Sequence, residues 1–413
     1  MYTQRLRPIQ MVGLTLAALG VVLSQSSAIA QGGGVGSAKT TAVVYVETNS
    51  PDGNAILAYH RSVKGRLSLL GVFPTGGTGV FDLSLQLGPF DSDQDIITNP
   101  ERTRLFAVNS GSNTIAVFEI AANGALTALP GSPFPSGGTN PVSVGLVRDA
   151  LAVVNKGMDP QQSAADANYS SFRVTPEGQL TTLLSTHPIE PSVSATQALV
   201  SPSKRLVFGA DFLGGLLRSF LVEPTGALRQ VDLQSPPSSE SDGAAPVLPL
   251  GLWAHPKQPV VYVGFVTVNK LAVYTYDPRG RLAFVRTVPN SGQAICWLRT
   301  NDDGTRLYTS NTGDNSISVY DTSSPLAPVE LQRLQLKGAG SAFQLDLDPT
   351  GEFLYVVTQR ATPEVPLGEG NNLHVLRINR ANGRLSEDGE SVYALPVLPP
   401  GTRPKGVVSM QPR

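Results

Sequence analysis

Cysteine is almost missing: Cys296 stands alone in 413 residues, so no disulfide can form within the chain and the fold must rest on its core. A chain of this length can bury enough surface to do so. Cys296 lies in the run Ala294-Ile295-Cys296-Trp297-Leu298, where a small buried hydrophobe is expected rather than a nucleophile. Histidine is scarce as well, and His60, His187, His255 and His374 are so widely spread that a zinc site would have to be assembled from distant segments. Charged residues amount to 15% and the formal net charge is −1, which excludes the basic footprint of a nucleic-acid binder. No Ser elbow flanked by glycines is present, so a serine hydrolase has no support. The Gly-rich stretch at 31–39 lacks the Gly-Lys-Ser/Thr ending of a phosphate loop.

What the chain has is a repeat. Gly-x-Leu recurs as Gly65-Arg66-Leu67, Gly124-Ala125-Leu126, Gly178-Gln179-Leu180, Gly226-Ala227-Leu228, Gly280-Arg281-Leu282 and Gly383-Arg384-Leu385, at a period of about 50 residues with one decayed copy. Before each turn runs an apolar strand pattern, among them Leu105-Phe106-Ala107-Val108, Val261-Tyr262-Val263 and Leu354-Tyr355-Val356-Val357. Counting these second strands predicts seven units, each a four-stranded meander, radially stacked: an all-β, seven-bladed β-propeller. The first unit lacks a first strand before Val43, whereas Lys405–Met410 is an unclaimed strand at the C-terminus. Pairing the two closes the ring and removes exposed sheet edges.

Residues 1–30 are expected to be a signal peptide, with Arg5 and Arg7 ahead of the apolar stretch Met11–Leu23 and Ala28-Ile29-Ala30 as the cleavage site. A flexible leader at 31–41 and a single propeller domain at 42–413 follow. These features predict export to the periplasm or medium, no membrane attachment after cleavage and a monomer.

Turns between first and second strands share a form, as in Asn99-Pro100-Glu101-Arg102, Ser201-Pro202-Ser203-Lys204, Asn301-Asp302-Asp303-Gly304 and Asp348-Pro349-Thr350-Gly351. His255 falls in the same slot and is expected to cap its turn. His374, between Leu373 and Val375, is expected to face solvent. Asn49, Asn109, Asn155, Asp211, Asn311 and Gln359 each follow a second strand, so they meet at one end of the ring. There they can bind a neutral or sugar-like ligand, with Arg360 beside them, or simply satisfy turns. Arg360, Arg403 and Lys405 are expected to be solvated charges. Asp91, Asp93 and Asp95 have a calcium-like spacing, but Ile96 and Arg102 stand where a calcium loop needs Gly and Glu. No metal and no cofactor is expected. Long connections at 74–95, 157–168, 234–246 and 360–370 are candidate functional loops; those at 74–95 and 234–246 could receive a protein partner.

The signal-like start, the seven units and the Leu-Tyr-x-x-Asn, Ile-x-Val-Phe/Tyr and Asp/Asn-Gly-x-Leu elements resemble the lactonase family of seven-bladed propellers, which includes 6-phosphogluconolactonase and carboxymuconate cyclase. That resemblance implies a channel mouth with His, Arg and Glu residues. Carried over by position, the family's His falls on Thr196, its Arg residues on Leu216, Leu250 and Thr312, and its Glu on Val266. The expectation is therefore a ligand-binding or interaction module whose catalytic set is lost. The alternative is a lactonase or cyclising enzyme with a rearranged site, using Asp211 as base and Arg218 or Arg360 as anion clamp.

Overall fold

The structure is a computed structural model that describes residues 40–162, 165–241, 243 and 246–413. The expected signal peptide and nearly all of the leader lie outside the described residues. Seven antiparallel sheets, five of four strands and two of five, form a seven-bladed β-propeller. Within the described residues, helix is limited to three single 3-10 turns.

Blade 1 contains the strands Thr40–Glu47, Ala55–Ser62 and Leu67–Pro74, and its innermost strand is Lys405–Met410 from the other end of the chain. Val43 lies opposite Met410 and Val46 opposite Val407, so the termini close the ring as the sequence predicts. The innermost strands of blades 2 to 7 are Ile96–Thr98, Pro141–Val147, Leu199–Val200, Pro249–Ala254, Ile295–Thr300 and Gly340–Leu347. Because each blade is an up-and-down meander, all connections between blades and all turns after second strands lie at one end of the axis, the loop end. The first-to-second-strand turns lie at the other, the turn end.

Second strands are buried on both faces because each is sandwiched between two blades. In Arg104–Asn109, Leu105 and Ala107 pack with Val43 and Tyr45 of blade 1, whereas Phe106 and Val108 pack with Val144 and Leu151 of blade 3. A one-residue slip would exchange the two sets, so the period of two fixes the register. Full burial of a Val, Leu or Phe in such a strand contributes about 1.5–3 kcal/mol.

The Gly-x-Leu repeat has a packing cause. Tyr45 of blade 1 donates its hydroxyl to the Gly124 carbonyl of blade 2 (2.8 Å), and Tyr308 of blade 6 donates to Gly383 of blade 7 (3.1 Å). Gly124 has φ 89°, and a Cβ there would lie 2.6 Å from a Val43 methyl, so glycine serves both the left-handed turn and the close approach. The following leucines, including Leu126, Leu180 and Leu385, are buried.

Candidate functional site

Residues 88–95, which lead into the three-residue first strand of blade 2, occupy the axis from the loop end inward. At the loop end Phe90 is fully buried with the Arg403 guanidinium 5.1 Å from its ring centre. Lys156, at the end of a blade 3 strand, donates to the Gly88 carbonyl (2.5 Å) and to that of Asp91. Asp91 accepts from the Gly88 amide (2.8 Å), and Ser194, ahead of blade 4, reaches the Gly88 carbonyl (3.5 Å). The segment is thus tied to three sides of the ring and closes this end.

Deeper down, Ser92 donates to Asp95 (2.8 Å) and its carbonyl accepts from Gln344 of blade 7 (2.7 Å), which also binds Asp95. Lys405 lies 3.1 Å from Asp95 and donates to Ser110 (3.0 Å). Asp93 accepts two hydrogen bonds from Arg299 of blade 6, at 2.5 and 2.9 Å. Gln197 of blade 4 donates to Asp93 (3.3 Å) and to Gln94 (3.1 Å).

Burial governs these charges. Glu47 is held well above the usual carboxylate range by burial and then by the neighbouring Asp95, with Lys405 pulling it back. Asp95 and Asp91 are raised for the same first reason. Lys156 is pushed down to about 7 by burial, with Asp91 opposing, and Arg403 to about 10. Burial works against the charge on Arg299, but Asp93 and Asp346 more than restore it.

The residues singled out in the sequence are spread over the loop end and engaged with the protein itself. Asn49 donates to the carbonyls of Val80 and Arg403, both at 3.1 Å. It is linked through Asn54 to Asn109, whose carbonyl also receives Thr75 (2.6 Å). Asn155 binds Ser136, Asn168 and Ser170 of its own surroundings, and Asn311 binds Asn290, Ser316 and Ser318. Gln359 donates to the Pro404 carbonyl (2.8 Å), and Arg360 to those of Val365 and Pro363. The structure does bring Asp211 and Arg218 together, at 2.6 Å. Asp211 is pushed up to about 6 by burial, against the pull of Arg218. Its Oδ1 and the nearby Tyr169 hydroxyl have no hydrogen-bond partner among the described residues.

Several expectations are corrected. Arg360, Arg403 and Lys405 are buried rather than solvated, because Arg360 binds the Pro363 and Val365 carbonyls of its own connection, Arg403 binds the Arg360 carbonyl and Lys405 pairs with Asp95. His374 does not face solvent: it is fully buried, its Nδ1 2.7 Å from Glu387. The axis carries the ion pairs of Asp93 with Arg299 and of Asp95 with Lys405, which the positions carried over from the resemblance did not indicate. Other readings agree with the geometry. His255 Nδ1 accepts the Lys257 and Gln258 amides of its turn, and Cys296 is buried with its thiol pushed up to about 12 by that burial.

The turn end is open. A cavity of about 520 Å³ on the axis is lined by Gln94, Ile97, Leu146, Val200, Trp253, Thr300 and Met410, with Arg102, Lys204 and Asp302 among its rim residues. The Arg299 guanidinium lies 4.2 Å from the Trp253 ring centre, and the indole donates to Thr300 (3.0 Å). Sequence reasoning missed this floor. The available signal was Arg299 in the otherwise apolar strand Ile295-Cys296-Trp297-Leu298-Arg299.

Residues 252–396 match the model of the Lactonase family, described as a 7-bladed beta-propeller. The resemblance to the lactonase family holds. No curated protein matches the chain in sequence. Among solved structures, the periplasmic gluconolactonase of Pseudomonas aeruginosa is similar at 16% identity and TM-score 0.67, covering 90% of this chain and 100% of that one. A 6-phosphogluconolactonase candidate from Bacteroides uniformis is similar at 15% identity and TM-score 0.66, covering 90% of this chain and 99% of that one. A protein from Lactobacillus plantarum is similar at 17% identity and TM-score 0.65, with 90% and 100% covered. At such identities the likeness establishes the lactonase-type propeller fold, and chemistry must be argued from the site.

Proposed function

We propose that this chain is an exported lactonase-type propeller that binds a small ligand on its axis without hydrolysing it. The observation that carries the reading is that the buried acids Asp93, on the axis, and Asp211, at the loop end, are each tied to a guanidinium group of the protein itself. Opening a lactone needs a base in contact with water and a cation free to meet the developing oxyanion. Asp93 with Arg299 and Asp211 with Arg218 are each buried and joined at 2.5 and 2.6 Å. Thr196, Leu216, Leu250 and Val266, where the resemblance implies ionisable groups, supply neither a base nor a cation. Export is supported by the charged, apolar and small-residue order of residues 1–30.

A second reading, a lactone-opening or muconate-cyclising enzyme, is favoured by the elevated Asp211 with its unpartnered oxygen. A third, docking of a protein on the loop end, is favoured by the exposed Leu83 and Leu87 on the 74–95 connection. Incubation of purified protein with gluconolactone and 6-phosphogluconolactone, followed by acid release, tests the first reading. The expected result is no acceleration over buffer. Acceleration that Asp211→Ala abolishes overturns it.

A further inference from the structure

We propose that the turn-end cavity is a binding site for a small organic carboxylate, an apolar or aromatic ring carrying one acid group. This rests on the reading of the chain as a binding propeller and names its ligand. The volume of about 520 Å³ is in the range of small-molecule sites, about 300–1,000 Å³. Its walls are apolar where Ile97, Leu146, Val200 and Met410 end their strands, and Trp253 adds an aromatic surface held in place by Thr300 and Arg299.

The polar groups left free there are mostly donors. Gln94 uses its Oε1 to accept from Gln197 (3.1 Å), and its amide NH₂ has no partner among the described residues. Lys204 makes no side-chain hydrogen bond or ion pair among the described residues, and Arg102 makes a single long one, 3.4 Å to the Gln411 carbonyl. Asp302 is the one carboxylate among the residues that line the cavity. An acid group bound between Arg102, Lys204 and the Gln94 amide would satisfy all three, while its ring displaced water from the apolar wall and Trp253.

Independent support comes from the backbone. Arg102 and Lys204 both have φ 57°, in the left-handed region that costs a side-chain-bearing residue about 1 kcal/mol or more. They fill the fourth position of the same turn in blades 2 and 4. Blades 6 and 7 place Gly304 (φ 77°) and Gly351 (φ 70°) there. All four residues donate their amide to the residue three positions earlier, Asn99, Ser201, Asn301 and Asp348. The turn therefore works with glycine, and two cations are kept at a conformational cost where both border one cavity.

Tryptophan fluorescence tests this, since the chain has two tryptophans. Trp253 borders the cavity, and Trp297 is wholly buried elsewhere. The probes are benzoate, its neutral analogue benzamide, and glucose. Benzoate should quench the emission saturably and raise Tm, benzamide and glucose should do neither, and Trp253→Phe should remove the quench. The double variant Arg102→Gly/Lys204→Gly should weaken benzoate at least about tenfold, with an unliganded Tm equal to or above that of the parent because glycine suits both positions. Equal effects of benzoate and benzamide, or undiminished binding by the double variant, overturn the proposal. Glucose binding without benzoate binding sinks the carboxylate site and leaves the binding-module reading intact. Lactone opening with benzoate binding preserved does the reverse.

Discussion

Asp93, on the segment entering blade 2, accepts two hydrogen bonds from Arg299 of blade 6 across the axis, at 2.5 and 2.9 Å. Both side chains are nearly inaccessible, so removing either partner strands a desolvated charge. Asp93→Ala should cost about 3–5 kcal/mol in urea unfolding, whereas Asp93→Leu/Arg299→Met should cost much less than the single changes combined. A loss under about 1 kcal/mol in the single variant would show that this pair does not hold the ring.

Ring closure depends on the C-terminal strand, and Gly406 is closely packed within it. With φ +66° and a would-be Cβ 2.9 Å from Ile96 Cγ1, Gly406→Ala should lose about 2–4 kcal/mol from strain and overpacking together. Gly351→Ala, with φ +70° but no atom within 4 Å, should lose only about 1 kcal/mol. Equal losses in thermal and chemical unfolding would contradict the close packing at the latch.

Asp211 sets a pH dependence. Its folded-state value of about 6 lies above the ordinary 3.8, through burial first, with Arg218 opposing. The unfolded chain loses this proton first, so the group's contribution is fully present below about pH 4 and is lost as pH rises through about 6, an effect of about 3 kcal/mol. The surroundings are Arg218, with Gln230 on its far side, and Tyr169, whose hydroxyl is raised by burial and then by Asp211. Asp211→Asn should therefore gain on the parent protein between pH 4 and 6.5. A constant difference over that range would contradict the assignment.

Lys156 fastens the loop-end plug through the carbonyls of Gly88 and Asp91. Lys156→Met should speed amide hydrogen exchange in residues 85–92 at least about tenfold while leaving the outer strands unchanged. Because burial pushes the folded-state amine down to about 7, its contribution is full above the unfolded value and is lost as pH falls through about 7. The variant should therefore lack that fall. Unaltered exchange would mean the plug stands without it.

The blades were legible in the sequence because their determinants are local and repeated. A Tyr in a second strand and the glycine of the next unit's Gly-x-Leu turn are two ends of one contact, as in Tyr45 with Gly124. The axis was not legible, since its contacts join positions with no shared period: Asp93 meets a residue 206 positions away. Asp91, Asp93 and Asp95 read as a weak metal spacing because spacing reports what shares a segment, whereas their partners Lys156, Arg299 and Lys405 come from three other blades. The asparagines after the second strands stand out as a class in the sequence, but whether such an amide faces a ligand or its own turn depends on neighbours such as Ser136 and Ser318 that the strand pattern does not reveal.

The most direct test of the account is a crystal structure determined with benzoate bound. It predicts density at the turn end, between Trp253, Gln94, Arg102 and Lys204, with Phe90 still closing the opposite end. Density lodged instead at the loop end against Asp211, with residues 88–92 displaced, would contradict it.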